Sequence, residues 1–215
     1  MADQSLRLPD PRLQARLGAA IDREGKIPAA LASLAPVEGH RVLLIDPDSG
    51  LRERQLAQLG GRVTSVRNAV LGSVPSASAD VVVACWSAIR PGEEPAARQV
   101  GETMRILAPT GRLVVVHDYG RDDVSDLLGS PAREAQLVAW SHREGPFLVN
   151  GFKLRVLHCW WSWDTLEEAT EVLAAAFGEA GARVAAAMRR PRLAYKVAVY
   201  HRDHERATLA PGAAA

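Results

Sequence analysis

The chain has 215 residues, 47% of them hydrophobic, with 26 basic and 25 acidic side chains. That length and apolar content suit one α/β domain with a sizeable core, and the formal charge of +1 gives no electrostatic reason to expect nucleic acid or acidic lipid as a partner. No apolar run approaches the roughly 18 residues of a membrane span, and the opening MADQSLRLPDPR is not a secretory signal, so a cytoplasmic protein with no membrane partner is expected. Cys85 and Cys159 lie apart inside apolar strand-like runs and read as buried free thiols.

Asp10-Pro11 starts the first helix, the acid as N-cap and the proline at the first helical position. Leu13, Leu17, Ala20 and Ile21 share its inner face, and Gly25 ends it. A second short helix carries Ile27, Leu31 and Leu34 and stops before Pro36. Residues 1–40 thus read as helices packed on a domain that spans 41–201. Arg41–Ile45 (RVLLI) is the kind of apolar run that is buried on both faces of a sheet. Asp46–Gly50 (DPDSG) is turn chemistry, Leu51–Leu59 is a helix closed by Gly60-Gly61, and Arg62–Val66 is the second strand. From Arg67 to Asp80 no helical period appears, and no helix is expected there.

Val81–Cys85 (VVVAC) is the third strand. Pro95 opens a helix with Val100, Met104 and Leu107 facing inward, and the Pro109-Thr110-Gly111 turn leads to the strand Arg112–Val116. Asp122–Leu128 and Pro131–Arg143 read as helices, Gly145–Gly151 as a loop, and Phe152–Trp161 as a long strand. Asp164 with Glu167 three residues on forms a capping-box pattern, ahead of a helix that buries Leu166, Ala169, Val172, Leu173 and Ala176. Leu193–His201 is the last strand, and 202–215 is a frayed tail. The alternation predicts a six-stranded, mainly parallel sheet covered on both faces, its final strand antiparallel. Ligands in such sheets sit at the carboxyl ends of the strands, where strand order reverses. That rule nominates Asp46–Gly50, Cys85–Ser87 and His117–Tyr119.

Met104–Gly120 (MRILAPTGRLVVVHDYG), Ala79–Ile89 (ADVVVACWSAI) and Leu34–Val66, in that relation to one another, resemble segments of the class I S-adenosylmethionine-dependent methyltransferases. The resemblance runs from about Leu31 to His201. It implies a Rossmann-like methyltransferase sandwich, S-adenosylmethionine as cofactor and a small-molecule substrate. The family's glycine-rich loop corresponds to Asp46, Pro47, Asp48, Ser49 and Gly50, so only the last glycine survives. The family's ribose-binding acid corresponds to Arg67-Asn68. In a second register Asp46 takes the role of that acid and Asn68 lies on the adenine side. This register deletes a central strand, however, and each buried backbone group left unpaired costs about 1–3 kcal/mol. The first register, which lacks one edge β-α unit between Arg67 and Asp80, is therefore preferred.

The cofactor-binding candidates are Asp46, Asp48, Ser49, Gly50, Asn68, Cys85 and Trp86. Asp46 and Asp48 either bind a ligand or cap the helix at Leu51. His117 and Asp118 are the candidates for a catalytic base; otherwise Asp118 caps the following helix and His117 is a satisfied neighbour. Trp160, Trp161 and Trp163 line a pocket, form a dimer face or pack in the core. Arg189, Arg190 and Arg192 either touch phosphate or lie on a solvated turn. His201 and His204 lack further ligands, and no metal is expected. Three functions follow: methyl transfer to a small molecule; a catalytically inactive methyltransferase-fold module for binding or dimerisation, hence a possible homodimer; and a degenerate receiver-like regulatory domain. The last rests on VLLIDPDSG, but Cys85-Trp86 stands where a phosphoacceptor Asp belongs.

Overall fold

The computed structural model describes residues 8–47, 50–93, 95–128 and 130–204, with the side chain of Asp126 left aside. Two helices, α1 (Pro11–Ala20) and α2 (Lys26–Leu34), precede β1 (Arg41–Ile45), α3 (Leu51–Gln58) and β2 (Arg62–Val66). Then come β3 (Ala79–Cys85), α4 (Ala96–Ile106), β4 (Leu107–Asp118), α5 (Asp123–Leu128), α6 (Pro131–Ser141) and α7 (Pro146–Val149). The chain ends with β5 (Lys153–Ser162), α8 (Leu166–Ala187) and β6 (Arg192–Asp203).

The six strands form one sheet in the order β2-β1-β3-β4-β6-β5. β1 is central, paired in parallel with β2 and β3, and β3 pairs in parallel with β4. β6 runs antiparallel to both β4 and β5. The preferred register is the one observed. The sheet is the mainly parallel sandwich with an antiparallel last strand, and among the described residues no strand lies outside β2. A receiver sheet is ordered 2-1-3-4-5, so the antiparallel β6 and the extra strand set this chain apart from that alternative.

Alternation along the strands splits the core. Val42, Leu44, Val81, Val83, Val114 and Val116 pack on one face with residues of α1, α2, α3 and α8. Leu43, Ile45, Val82, Ala84, Leu113 and Val115 face Ile106, Leu137 and Phe147 on the other.

Several local expectations need correction. Asn68–Ser73 forms a 3-10 helix where none was expected. The Pro109-Thr110-Gly111 segment lies within β4 as an irregularity, since pairing jumps from Ala79–Leu107 to Val81–Arg112. A Cβ on Gly111 would meet the Asp80 carbonyl at 2.9 Å, so only glycine fits the bulge. Pro146–Val149 adds a helical turn inside the supposed loop. The capping box sits one residue later than read: Thr165 Oγ1 accepts from the Glu168 N–H at 3.1 Å, and Glu168 accepts from the Asp164 N–H. On α4 the buried residues are Ala96, Gln99, Thr103 and Ile106, with Val100 and Met104 only half-buried. β6 extends to Asp203, past the end read for it. The rest of the tail, from 205, lies outside the described residues.

Helix α8 is kinked at Gly178 (φ 56°, ψ −132°), and a Cβ on Gly181 would collide with the Leu173 carbonyl oxygen. On α4, by contrast, a Cβ on Gly101 meets nothing within 4 Å. Gly181→Ala is therefore expected to lower the melting temperature. Gly101→Ala should raise stability by roughly 0.5–1 kcal/mol through helix propensity. Thermal melts of the two variants check both signs.

Candidate ligand site at the carboxyl edge

Strand order reverses at β1, with β2 on one side and β3 on the other, which opens a crevice beyond their carboxyl ends. Asp46, the first residue after β1, lies in the left-handed region at φ 49°. Asp and Asn tolerate that region better than other non-glycine residues. Its N–H donates to the Val66 carbonyl at 2.8 Å, and its Oδ1 accepts from the Asn68 N–H at 2.7 Å. Gly50, at the N-terminus of α3, is also left-handed (φ 71°). The turn thus has left-handed backbone at both ends, Asp46 at one and Gly50 at the other. Asp48 and Ser49, and with them the reading of Asp48 as the cap of α3, lie outside the described residues.

Asn68, half-buried just beyond β2, offers a hydrogen-bond acceptor at the same edge. Its Oδ1 is buried with no hydrogen-bond partner, although buried polar atoms are nearly always paired. Asn68 also lines a cavity of about 180 Å³ with Arg98, Gln99 and Glu102. A ribose hydroxyl or an exocyclic amine of a nucleoside would satisfy that acceptor, so the adenosine half of the implied cofactor fits the residues present.

The end of β3 is closed more tightly. Cys85 is fully buried, and Trp86 is 2% exposed at φ 50°. The guanidinium of buried Arg52 lies 5.5 Å from the centroid of the Trp86 ring. Trp86 Nε1 donates to Asp118 Oδ1 at 3.0 Å, the Tyr195 hydroxyl donates to the same oxygen at 2.5 Å, and Arg133 pairs with Asp118 Oδ2. These three donors occupy Asp118, and it does not cap the helix that follows. Asp122 does so instead, accepting the Ser125 N–H at 2.9 Å.

His117 points to the opposite face of β4. It is 3% exposed, with ring centroids of Trp140 at 5.0 Å and Phe147 at 6.1 Å. Burial drives its pKa down to about 4, and the nearby Arg90 charge adds to this, against the opposing bond to Ile89. The ring is therefore neutral at pH 7, and Nε2 donates to the Ile89 carbonyl at 3.1 Å. His117 and Asp118 form no dyad. Each holds a neighbouring group, Ile89 or Trp86.

Both of those groups belong to the segment after β3, which side chains strap from several directions. Ser87 Oγ donates to the Ile45 carbonyl at 3.1 Å, bridging β3 to β1, and Arg90 donates to the Trp86 carbonyl at 2.7 Å. Ile89 is left-handed at φ 57°, an outlier for a β-branched residue. Gln99 Oε1 accepts its N–H at 2.7 Å, and Trp140 Nε1 donates to the Pro91 carbonyl at 3.0 Å. Sequence reasoning missed Ile89, Gln99, Trp140 and Tyr195. The one available signal was Gln99, a polar residue beside the apolar positions of its helix.

Of the other candidates, Trp161 and Trp163 are buried in the core, while Arg192 lies over the Trp160 ring at 4.2 Å. Among the described residues no cluster of three His, Cys, Asp or Glu could hold a metal ion, and no helix is long and apolar enough to cross a membrane.

No protein-family model matches the chain, and no curated protein matches it in sequence. Solved structures do resemble it. The crystal structure of MccD protein aligns with a TM-score of 0.51 at 11% identity, over 81% of this chain and 96% of that one. YcgJ protein from Bacillus subtilis aligns with a TM-score of 0.45 at 13% identity, over 83% and 97%. An S-adenosylmethionine-dependent methyltransferase from Mesorhizobium loti gives 0.42 at 17% identity, over 81% and 97%. At such identity the likeness to MccD establishes the fold alone. The shared fold is the mainly parallel, Rossmann-like α/β sandwich described above.

His117 makes stability pH-dependent in a definite direction. Below its ordinary pKa of 6.5 the unfolded chain takes up a proton that the folded chain refuses until about pH 4. Its contribution is therefore complete above pH 6.5 and is lost as pH falls towards 4. His117→Gln should flatten this decline, measured as the difference in denaturation midpoint between pH 7 and pH 5. An unchanged difference would mean that His117 is not buried as a neutral ring.

Proposed function

We propose that the chain binds S-adenosylmethionine across the carboxyl ends of β1, β2 and β3, and transfers its methyl group to a small molecule in the cytoplasm. The observation that carries this reading is the unpaired, buried Oδ1 of Asn68, fixed beside Asp46 at the point where strand order reverses. Asn68 Oδ1 would accept a hydrogen bond from the nucleoside, and the left-handed Asp46 and Gly50 would lie along the methionine half. Because the Asp46 carboxylate is already engaged by the Asn68 N–H, its repulsion of the cofactor's carboxylate is softened. When bound, the cofactor supplies a methyl group on a positively charged sulfur, electrophilic without further activation.

The protein's share is orientation and exclusion of water. Trp86, locked by Asp118, walls the carboxyl end of β3, and Ile89, locked by His117 and Gln99, fixes the next stretch of chain. With His117 and Asp118 both occupied in this way, the reading favours an acceptor that attacks without prior loss of a proton, such as a neutral amine or a thioether.

A specific observation favours a second reading. Trp86 and Arg52 pack together, each 2% exposed, at the edge where the methionine half would lie. If this packing excludes the cofactor, the chain is a methyltransferase-fold module for binding or for homodimerisation.

Titration calorimetry with S-adenosylhomocysteine separates the two. The first reading expects saturable binding that Asn68→Ala weakens about tenfold, the equivalent of one hydrogen bond of about 1.4 kcal/mol. Absence of heat at millimolar ligand would transfer the assignment to the module, whose homodimer sedimentation would then reveal.

A further inference from the structure

We infer that the cavity between α4 and α7 is a binding site for an uncharged, ring-bearing apolar small molecule. It encloses about 350 Å³, and its walls include Ile89, Ala97, Val100, Phe147 and Phe152. That volume and lining match small-molecule pockets, which are mostly apolar with a few polar groups to fix orientation. Glu93 and Arg202 also line it, and their opposite charges do not select for a charged ligand. Phe147 stacks on Tyr200 at 3.8 Å and meets the Phe152 ring edge-on at 5.3 Å. The aromatic wall is thus held rigid, and a flat ring can pack against it edge-to-face or offset.

Strain in one wall distinguishes this cavity from a packing gap. Ile89 is 2% exposed and left-handed, a conformation that costs of order 1–3 kcal/mol and concentrates at ligand sites. Three buried or half-buried side chains, Gln99, His117 and Trp140, keep Ile89 and Pro91 in place. A gap needs no such support. Ala97, meanwhile, is exposed on α4, where a larger side chain could have filled the space at little cost. The inference does not rest on Asp46 or Asn68, but it shares the restrained Ile89 and its partners Gln99 and His117 with the proposed methyl-transfer site.

The probe is 2-naphthol, an uncharged bicyclic ring with one hydroxyl, titrated calorimetrically into the full chain. Saturable single-site binding is expected. Ala97→Trp fills the cavity from the helix surface and should weaken binding about tenfold or more, with little change in melting temperature. Val100→Phe narrows the same wall and should act in the same direction if the tryptophan variant fails to fold. Absence of saturable heat up to the solubility of the probe would overturn the proposal. So would undiminished affinity in a folded filling variant, which would place the probe elsewhere. Binding of S-adenosylhomocysteine, present or absent, alters neither outcome.

Discussion

The site is organised by the restraint of the segment from Trp86 to Pro91, where the chain leaves β3 and turns towards α4. Two non-glycine residues there, Trp86 and Ile89, occupy the left-handed region, each at a cost of order 1–3 kcal/mol. The hydrogen bond that the Trp86 indole donates to Asp118, the one that the Ile89 N–H donates to Gln99 and the one that His117 donates to the Ile89 carbonyl oppose that cost. Each contributes about 0.5–1.5 kcal/mol net, and breaking one would strand a buried polar group. Strain and restraint are thus of similar size, and the segment keeps its shape because it is pinned on both faces of the sheet.

This restraint explains why adjacent residues of β4 have separate tasks. Successive side chains of a strand point to opposite faces. Asp118 accordingly gathers Trp86, Tyr195 and Arg133 on one face, while His117 enters the aromatic cluster of Trp140 and Phe147 on the other. The histidine suits its place because it is neutral: burial holds its pKa near 4, and one ring N–H suffices for the Ile89 carbonyl. The same edge carries Asp46 and Asn68, where an acid takes the left-handed position after β1 and accepts the N–H of Asn68 beyond the next strand's end.

The frame was legible in the sequence because periodicity and turn chemistry are local. Arg41–Ile45 reads as a buried central strand from its unbroken apolar run, and the sheet places it there. Asp10 caps α1 as its sequence predicts, accepting the Arg12 N–H at 2.8 Å. Elements whose form depends on distant partners were not legible. Nothing adjacent to Ile89 marks its positive φ, since Gln99, His117 and Trp140 lie far along the chain. The bulge at Gly111 depends on the Asp80 carbonyl, and the shifted cap at Thr165 reflects a choice between neighbouring oxygens that spacing alone does not decide. At the site, the altered loop was visible as a departure from a glycine pattern. How the chain accommodates it, through the bond that the Asn68 N–H donates to Asp46, emerged only from the packing of β1 beside β2.

Amide hydrogen exchange at Ile89 tests the restraint most directly. Loop amides ordinarily exchange through small local openings. Here the Ile89 N–H is buried against Gln99 Oε1, and exposing it requires the strapped segment to come away from α4 and β4. Protection comparable to that of Val82 and Val83 in β3 is the predicted result, and exchange as fast as that of Gly92 would contradict it.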